Sequence, residues 1–252
     1  MTVDRWAQAV RQQLGIGRLL PLGGPGDGAW ITEAAARDVL RRAVAEVRGV
    51  RLGSVRLSQA DPDGTYEAAV PAPPSALPPG PLRIEAECAA TADEPLPRST
   101  ERLRAALAEA AAQALGLVVT EVDLQVTGLL EAEAERTEQE PEAATEEPAK
   151  PTSLSGDEAR AAQAVLAVPG VARLTGTLGG LGRAIHVEER TGAAALPRRH
   201  VRVELVVSAG SRALDVARAV RQAVTAALPD GPTVAVLVTE VAPRTVRDPA
   251  RA

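Results

Sequence analysis

The chain has 252 residues, 45% of them hydrophobic, a net charge of −5 and a single cysteine. That length suits two domains of about 100 residues each, and one cysteine excludes both an intramolecular disulfide framework and a cysteine-rich zinc site. The net negative charge argues against a partner chosen by charge alone, such as a phosphate backbone. No run reaches the roughly 20 apolar residues of a membrane-spanning helix and no apolar signal region opens the chain, so a soluble cytoplasmic protein is expected.

With no Phe, one Tyr and two Trp, the cores must be filled by Ala, Val and Leu, which calls for close approach of helices to sheets. Asn is absent and Lys150 is the sole lysine. This resembles the bias of GC-rich coding, so the abundance of arginine is not read as nucleic-acid binding.

Residues 1–27 are read as a helix over 2–14 followed by a Gly/Pro-rich lead-in. Thr2 is its N-cap, and Val3, Trp6, Val10 and Leu14 recur at helical spacing. It either packs on the first domain or acts as a docking arm presenting Trp6, Val10 and Leu14, with Arg5, Arg11 and Arg18 favouring anionic headgroups. A short strand is predicted at Ala29–Ile31.

The first module, 28–130, continues with a helix capped by Thr32 and carrying Ala36, Val39, Leu40, Ala43, Val44 and Val47, closed by Gly49. A strand through Leu52, Val55 and Leu57 leads into "QADPDGTYEAAVPAPPSALPPGP", an extended loop because each Pro removes a donor and fixes φ. The strand "PLRIEAECA" follows, with Cys88 as a small buried hydrophobe beside Ile84 and Ala86. Ser99 is the expected cap of a helix bearing Leu103, Leu107, Ala111 and Leu115, stopped by Gly116. In "VVTEVDLQV", Val118, Thr120, Val122, Leu124 and Val126 are assigned to a buried face and Glu121, Asp123 and Gln125 to a wet one.

Residues 131–154 read as an acidic linker. Glu131 to Lys150 contribute −6, leaving the rest of the chain at +1, and self-repulsion favours an extended tether. The second module, 155–243, opens with Ser155 as N-cap and runs through "VPGV" to the Gly-rich "RLTGTLGGLGRAIHVEER". Then come "HVRVELVVSAG", a helix capped by Ser211, and "VAVLVTEV", apolar on nearly both faces and so central or interface-buried. Residues 244–252 are a tail.

The two modules look like copies of one unit. "AVAEVRGVRL", "LRIE", "STERLRAALAEAAAQAL" and "VVTEVDLQV" parallel "AVLAVPGVARL", "VRVE", "SRALDVARAVRQAVTAAL" and "TVAVLVTEV". The order strand, helix, strand, strand, helix, strand implies an α+β fold: two tandem modules, each a mixed or antiparallel sheet of three to four strands with two helices on one face. The opening strand is not visible in the second.

No catalytic signature is present: no G-x-S-x-G elbow, phosphate-binding loop or H-E-x-x-H helix. His186 and His200 fall on predicted strands and read as surface or strand-edge residues. No catalytic residue, cofactor or metal is expected. The one candidate ligand or partner loop is Arg173, Gly176, Gly179, Gly180, Gly182 and Arg183. Its glycines would let backbone amides approach a phosphate, and its Gly-x-x-Gly spacing resembles the RNA clamp of KH-type modules; a plain flexible loop gives the same pattern.

The second module resembles the alkaline shock proteins, the envelope-stress family of Gram-positive bacteria. The likeness rests on "VPGVARLTGTLGG", "VRVELVVSAGSRALDVARAVRQAVTAAL" and "TVAVLVTEV", over residues 155–243. The first module fits less closely, with Arg48 in place of the proline. The resemblance implies a non-enzymatic, self-associating cytoplasmic protein gathered at the inner membrane face through a small membrane-anchor partner. The alternative is an RNA-binding adaptor using the Gly-rich loop, although nucleic acid is the less expected partner.

Overall fold

A computed structural model describes residues 18–130, 156–176, 183–190 and 198–243. The docking arm with Trp6, Val10 and Leu14, the acidic linker, the Ser155 cap and the tail lie outside the described residues. The fold is α+β, with two mixed sheets and helices on one face of each.

In chain order the elements are β1 (Leu19–Pro21), β2 (Ala29–Thr32), α1 (Glu33–Val44), β3 (Val50–Gln59), β4 (Leu82–Thr91), α2 (Leu96–Glu109) and β5 (Val119–Leu130). After the linker come α3 (Gly156–Leu166), β6 (Val171–Leu174), β7 (Ile185–Arg190), β8 (Arg198–Val207), α4 (Ala213–Ala227) and β9 (Thr233–Val241). The smaller sheet is β3-β4-β5. The larger is β1-β2-β9-β8-β6, with β7 also on β8.

Both halves repeat one pairing scheme. In each, an antiparallel hairpin (β3 with β4, β6 and β7 with β8) is followed by a parallel return (β5 on β4, β9 on β8). The duplication extends to an irregularity. The β4–β5 register slips between Cys88 and Ala89, and the β8–β9 register between Leu205 and Val206. Each slip leaves out a threonine whose hydroxyl donates across the strands, Thr127 to the Cys88 carbonyl at 3.3 Å and Thr239 to the Leu205 carbonyl at 3.2 Å. A bulge of one extra residue is a specific feature, so its recurrence with the same side-chain bond marks equivalent positions.

That equivalence corrects the sequence alignment of the copies. Glu204 corresponds to Glu87, not Glu85, so "LRIE" and "VRVE" are two residues out of step. The shared string "VTEV" lies at opposite ends of β5 and β9 and is not an equivalence. A second slip in β5, between the pairs Leu82/Val119 and Arg83/Glu121, turns Val119 inward and leaves Val118 outside.

The opening strand is present where predicted but serves the other sheet. β2 pairs parallel with β9 through Ala29–Val236, Trp30–Leu237 and Ile31–Val238, and β1 pairs antiparallel with β2. The strand missing from the second copy is therefore supplied by the first. As expected from its apolar faces, β9 is interior, flanked by β2 and β8.

Helices α3 and α4 pack on one face of the larger sheet, and α1 lies against both β9 and β3. One continuous apolar core results, including Leu40, Leu57, Ile84 and Leu107 together with Val203, Val220 and Val236. The Pro-rich loop crosses to the other face of the larger sheet. Val70 and Ala76 cover Leu19, Trp30, Ala235 and Leu237 there, and Leu77 N–H donates to the Leu19 carbonyl at 2.8 Å.

Thr32 caps α1, accepting from Ala35 N–H at 3.2 Å. Three other helix ends differ from expectation. α1 closes at Ala45 and not at Gly49, so Val47 lies beyond it. Pro95 precedes α2 and Pro97 occupies its first turn, where no donor is needed, and Ser99 inside the helix donates to Glu94 at 2.7 Å. Arg212, not Ser211, precedes α4 without a side-chain cap. The α2 helix widens into a π-helical turn at Ala110–Leu115 and ends at Gly116, whose φ of 88° is left-handed. Such a turn frees a carbonyl, and Arg212 Nε donates to that of Ala112 at 2.9 Å.

Glu33 anchors the start of α1. It is buried and pairs with Arg18 at 3.3 Å and Arg37 at 3.0 Å. Burial alone would raise its carboxyl, but the two guanidiniums win and hold it below the ordinary 4.5. Because the folded value is depressed, this stabilisation is complete above pH 4.5 and is lost as pH falls through the folded value. Glu33→Gln should therefore lower the melting temperature at pH 7 and narrow the gap from wild type under acid, a difference that melts at several pH values will measure.

Candidate functional site

The Gly-rich passage interrupts an edge strand. Leu174 is opposite Leu205 and Ile185 opposite Val203, so Glu204 alone spans the excursion 175–184. The ladder is kept on both sides of it: Thr175 N–H donates to the Glu204 carbonyl at 3.0 Å, and Glu204 N–H donates to Ala184 at 2.8 Å. The first copy has only the bulge Gly53–Ser54 at this point, opposite Glu87. The excursion is thus an insertion specific to the second copy.

Of the predicted loop residues, Arg173, Gly176 and Arg183 are described, whereas Gly179, Gly180 and Gly182 lie outside the described residues. Arg173 is held by Glu240 at 2.6 Å and Arg183 by Glu158 at 3.7 Å. The element after the loop is the strand β7, as the sequence suggested, and not a helix whose N-terminus would add positive potential.

The two histidines, unrelated in the sequence reading, share the helix-free face of the larger sheet. His186 lies opposite Arg202, and His200 lies opposite Glu188. His200 is not a surface residue: it is 7% exposed, with Nδ1 2.8 Å from the Thr233 hydroxyl. His186 is half-buried, with Nε2 3.0 Å from the Arg183 carbonyl. Burial first, and then the Arg202 charge, keep its ring below the ordinary 6.5 and therefore neutral at pH 7. The equivalent face of the first copy is a wet charge lattice, in which Arg83 pairs with Glu121 and Asp123. Cross-strand adjacency could not be read without the register, and the excursion hid that register.

The smaller sheet offers a different surface. Its strand β5 pairs with β4 on one side and with no strand on the other among the described residues. Val118, Val126 and Leu129, at 45%, 37% and 65% exposure, are three of the five exposed large hydrophobics of the described residues. From Leu124 to Leu130 the strand has no charge and no proline. The edge is blunted at one point, where Arg104 Nε donates to the Val122 carbonyl at 3.2 Å. Natural edges are usually guarded by charge, proline or cover, and from Leu124 to Leu130 this strand carries neither of the first two.

No family model, curated protein or solved structure matches the chain. No group of His, Cys, Asp and Glu suited to a metal occurs among the described residues, and none of their helices is long and apolar enough to cross a membrane.

Proposed function

We propose that this protein is a non-enzymatic interaction scaffold of the envelope-stress type, working in the cytoplasm and gathered at the inner membrane face by a small membrane-anchor protein. The observation that carries the reading is the β5 edge, a 12-residue strand with one side unpaired among the described residues and its apolar side chains uncovered. An edge of this kind recognises another strand through backbone hydrogen bonds, with alternate side chains setting specificity. The sequence resemblance to the alkaline shock proteins supports the setting, and the shared core supports a rigid platform behind the edge. RNA binding has less support, because Arg173 and Arg183 are each held by a carboxylate.

The double variant Val126→Lys, Leu129→Lys places two charges along the edge without touching the core. Wild type should sediment as a species larger than the 26.1 kDa monomer and retain a membrane-fraction protein that the variant loses. A wild type that stays monomeric and retains the same proteins as the variant would overturn the reading.

A further inference from the structure

We infer that the β5 edge takes a parallel strand from another protein, apolar on the side facing α2 and basic on the opposite side. This rests on β5 being the docking edge and adds the chemistry of the strand it accepts. The second copy shows the same edge with a strand in place. With Thr127 equivalent to Thr239, Leu124, Gln125 and Val126 correspond to Val236, Leu237 and Val238, the residues that pair with Ala29, Trp30 and Ile31 of β2. Val236 N–H donates to the Gly28 carbonyl at 3.1 Å, so Val236 and, two residues on, Val238 turn their backbone groups toward β2. Leu124 and Val126 turn theirs to the free edge in the same way.

The arginine beside the edge is repeated as well. Arg104 Nε donates to the Val122 carbonyl at 3.2 Å, and Arg221 Nε donates to the equivalent carbonyl of Val234 at 3.1 Å. Arg221 does not exclude β2. Its Nη1 donates to the Gly26 carbonyl at 2.9 Å and to that of Asp27, gripping the chain that leads into β2. Arg104 stands where it can grip the lead-in of a strand entering beside Leu124. Burial shows what β2 supplies: Val238 and Val241 are 0% and 8% exposed, whereas Val126 and Leu129 at the corresponding places of β5 are 37% and 65%. Leu96 of α2 is also exposed, and its counterpart on α4, Ala213, is buried in the core that Ile31 shares with Val238 and Val241. An apolar residue in the place of Ile31 would cover this patch.

The opposite side of the sheet decides the charge of the incoming strand. In the second copy Trp30 packs there with Leu237 under the Pro-rich loop. At the place of Leu237, β5 has Gln125, with Asp123 two residues before it and Glu87 across the strands. Glu85 and Glu121 lie just beyond, so four carboxylates stand against one arginine, Arg83, on this side of β4 and β5. Arg51 and Arg56 are on β3, the strand farthest from the edge. The residue that takes the place of Trp30 is therefore a lysine or arginine, whose long side chain reaches Asp123 and Glu87.

The test titrates the full chain with short blocked peptides that alternate valine with lysine, with serine or with glutamate, following backbone amides by NMR. The valine-lysine peptide should bind saturably and protect the Leu124 and Val126 amides, leaving that of Val236, already bonded to Gly28, unmoved. It should bind about fivefold more tightly than the valine-serine peptide at low ionic strength, with a margin that shrinks as salt rises, and the valine-glutamate peptide should bind least. Asp123→Asn with Glu87→Gln should remove the margin and leave valine-serine binding unchanged. A spin label at the peptide N-terminus should broaden Val122 more than Leu130, and the reverse would overturn the parallel direction. Equal binding of the lysine and serine peptides, with the two amides protected, would overturn the basic partner and spare the docking edge. Protection by none of the peptides would overturn the strand site, and whether the Val126→Lys, Leu129→Lys variant loses its membrane-fraction protein then judges the scaffold separately. Protection in the free chain that rises with protein concentration would assign the edge to a second copy and overturn the proposal.

Discussion

Gly116→Val is expected to destabilise the protein by about 3 kcal/mol, measured as a shift in the denaturant midpoint at unchanged slope. Two causes act together. Gly116 adopts φ 88°, where a β-branched residue is strained. A side chain there would also collide with Leu214 of α4, whose Cβ lies closest and whose Cδ2 lies 2.9 Å from the position a Cβ would take. The site is a junction. Gly116 accepts from Gly23 N–H at 3.1 Å and its own N–H donates to Ala111 at 2.9 Å. Leu214 cannot withdraw, because it belongs to the continuous core. The damage should therefore reach both copies and not only the helix that Gly116 ends.

Trp30→Ala should cost about 4 kcal/mol, the usual loss for a large buried aromatic. Trp30 is 2% exposed between Leu19, Val70, Ala235 and Leu237, and its removal leaves a cavity beneath the Pro-rich loop. The loop is tied down at Leu19 and Pro25 by backbone bonds from Leu77 and Ala69 and does not collapse freely into the gap. Trp30→Phe separates volume from polarity. The indole Nε1 is buried without a partner among the described residues, so losing that donor offsets part of the lost area. Phe should cost less than about 1.5 kcal/mol, and urea denaturation of the three proteins will order them as wild type, Phe, Ala.

Much of this architecture was legible in the residues. Periodicity located each described helix and all the long strands, Thr32 and Gly116 marked their helix ends, and the apolar faces of "VAVLVTEV" announced an interior strand. Local pattern could not say which sheet a strand joins. Ala29–Ile31 reads the same whether it pairs with its own copy or with β9, and only the core that Ile31 shares with Val238 decides it. The Pro-rich run has the composition of a loop and forms one, but its role as the cover of Trp30 depends on a long-range contact that no spacing encodes. Bulges hid the rest. One skipped residue at Thr120 reversed the expected burial of Val118, and the excursion after Leu174 concealed that His186 faces Arg202.

The proposed scaffold depends on the same welding of the copies. A platform that presents the β5 edge and the larger sheet in one fixed arrangement requires that β2 and α1 hold the two sheets together. Separate beads on a tether would present these surfaces independently. The bonds that tie them are specific: Arg218 of α4 grips Asp27 at 2.7 Å, and Arg42 of α1 donates to the Val241 carbonyl at 2.9 Å.

Native-state hydrogen exchange of the full chain over rising denaturant tests this most directly, by following the amides of β4 and β9 in the same sample. The two strands should converge on one unfolding isotherm, and Gly116→Val should lower both by the same amount. Separate isotherms, with β4 or β9 left unchanged by the substitution, would show two independent units and contradict the account.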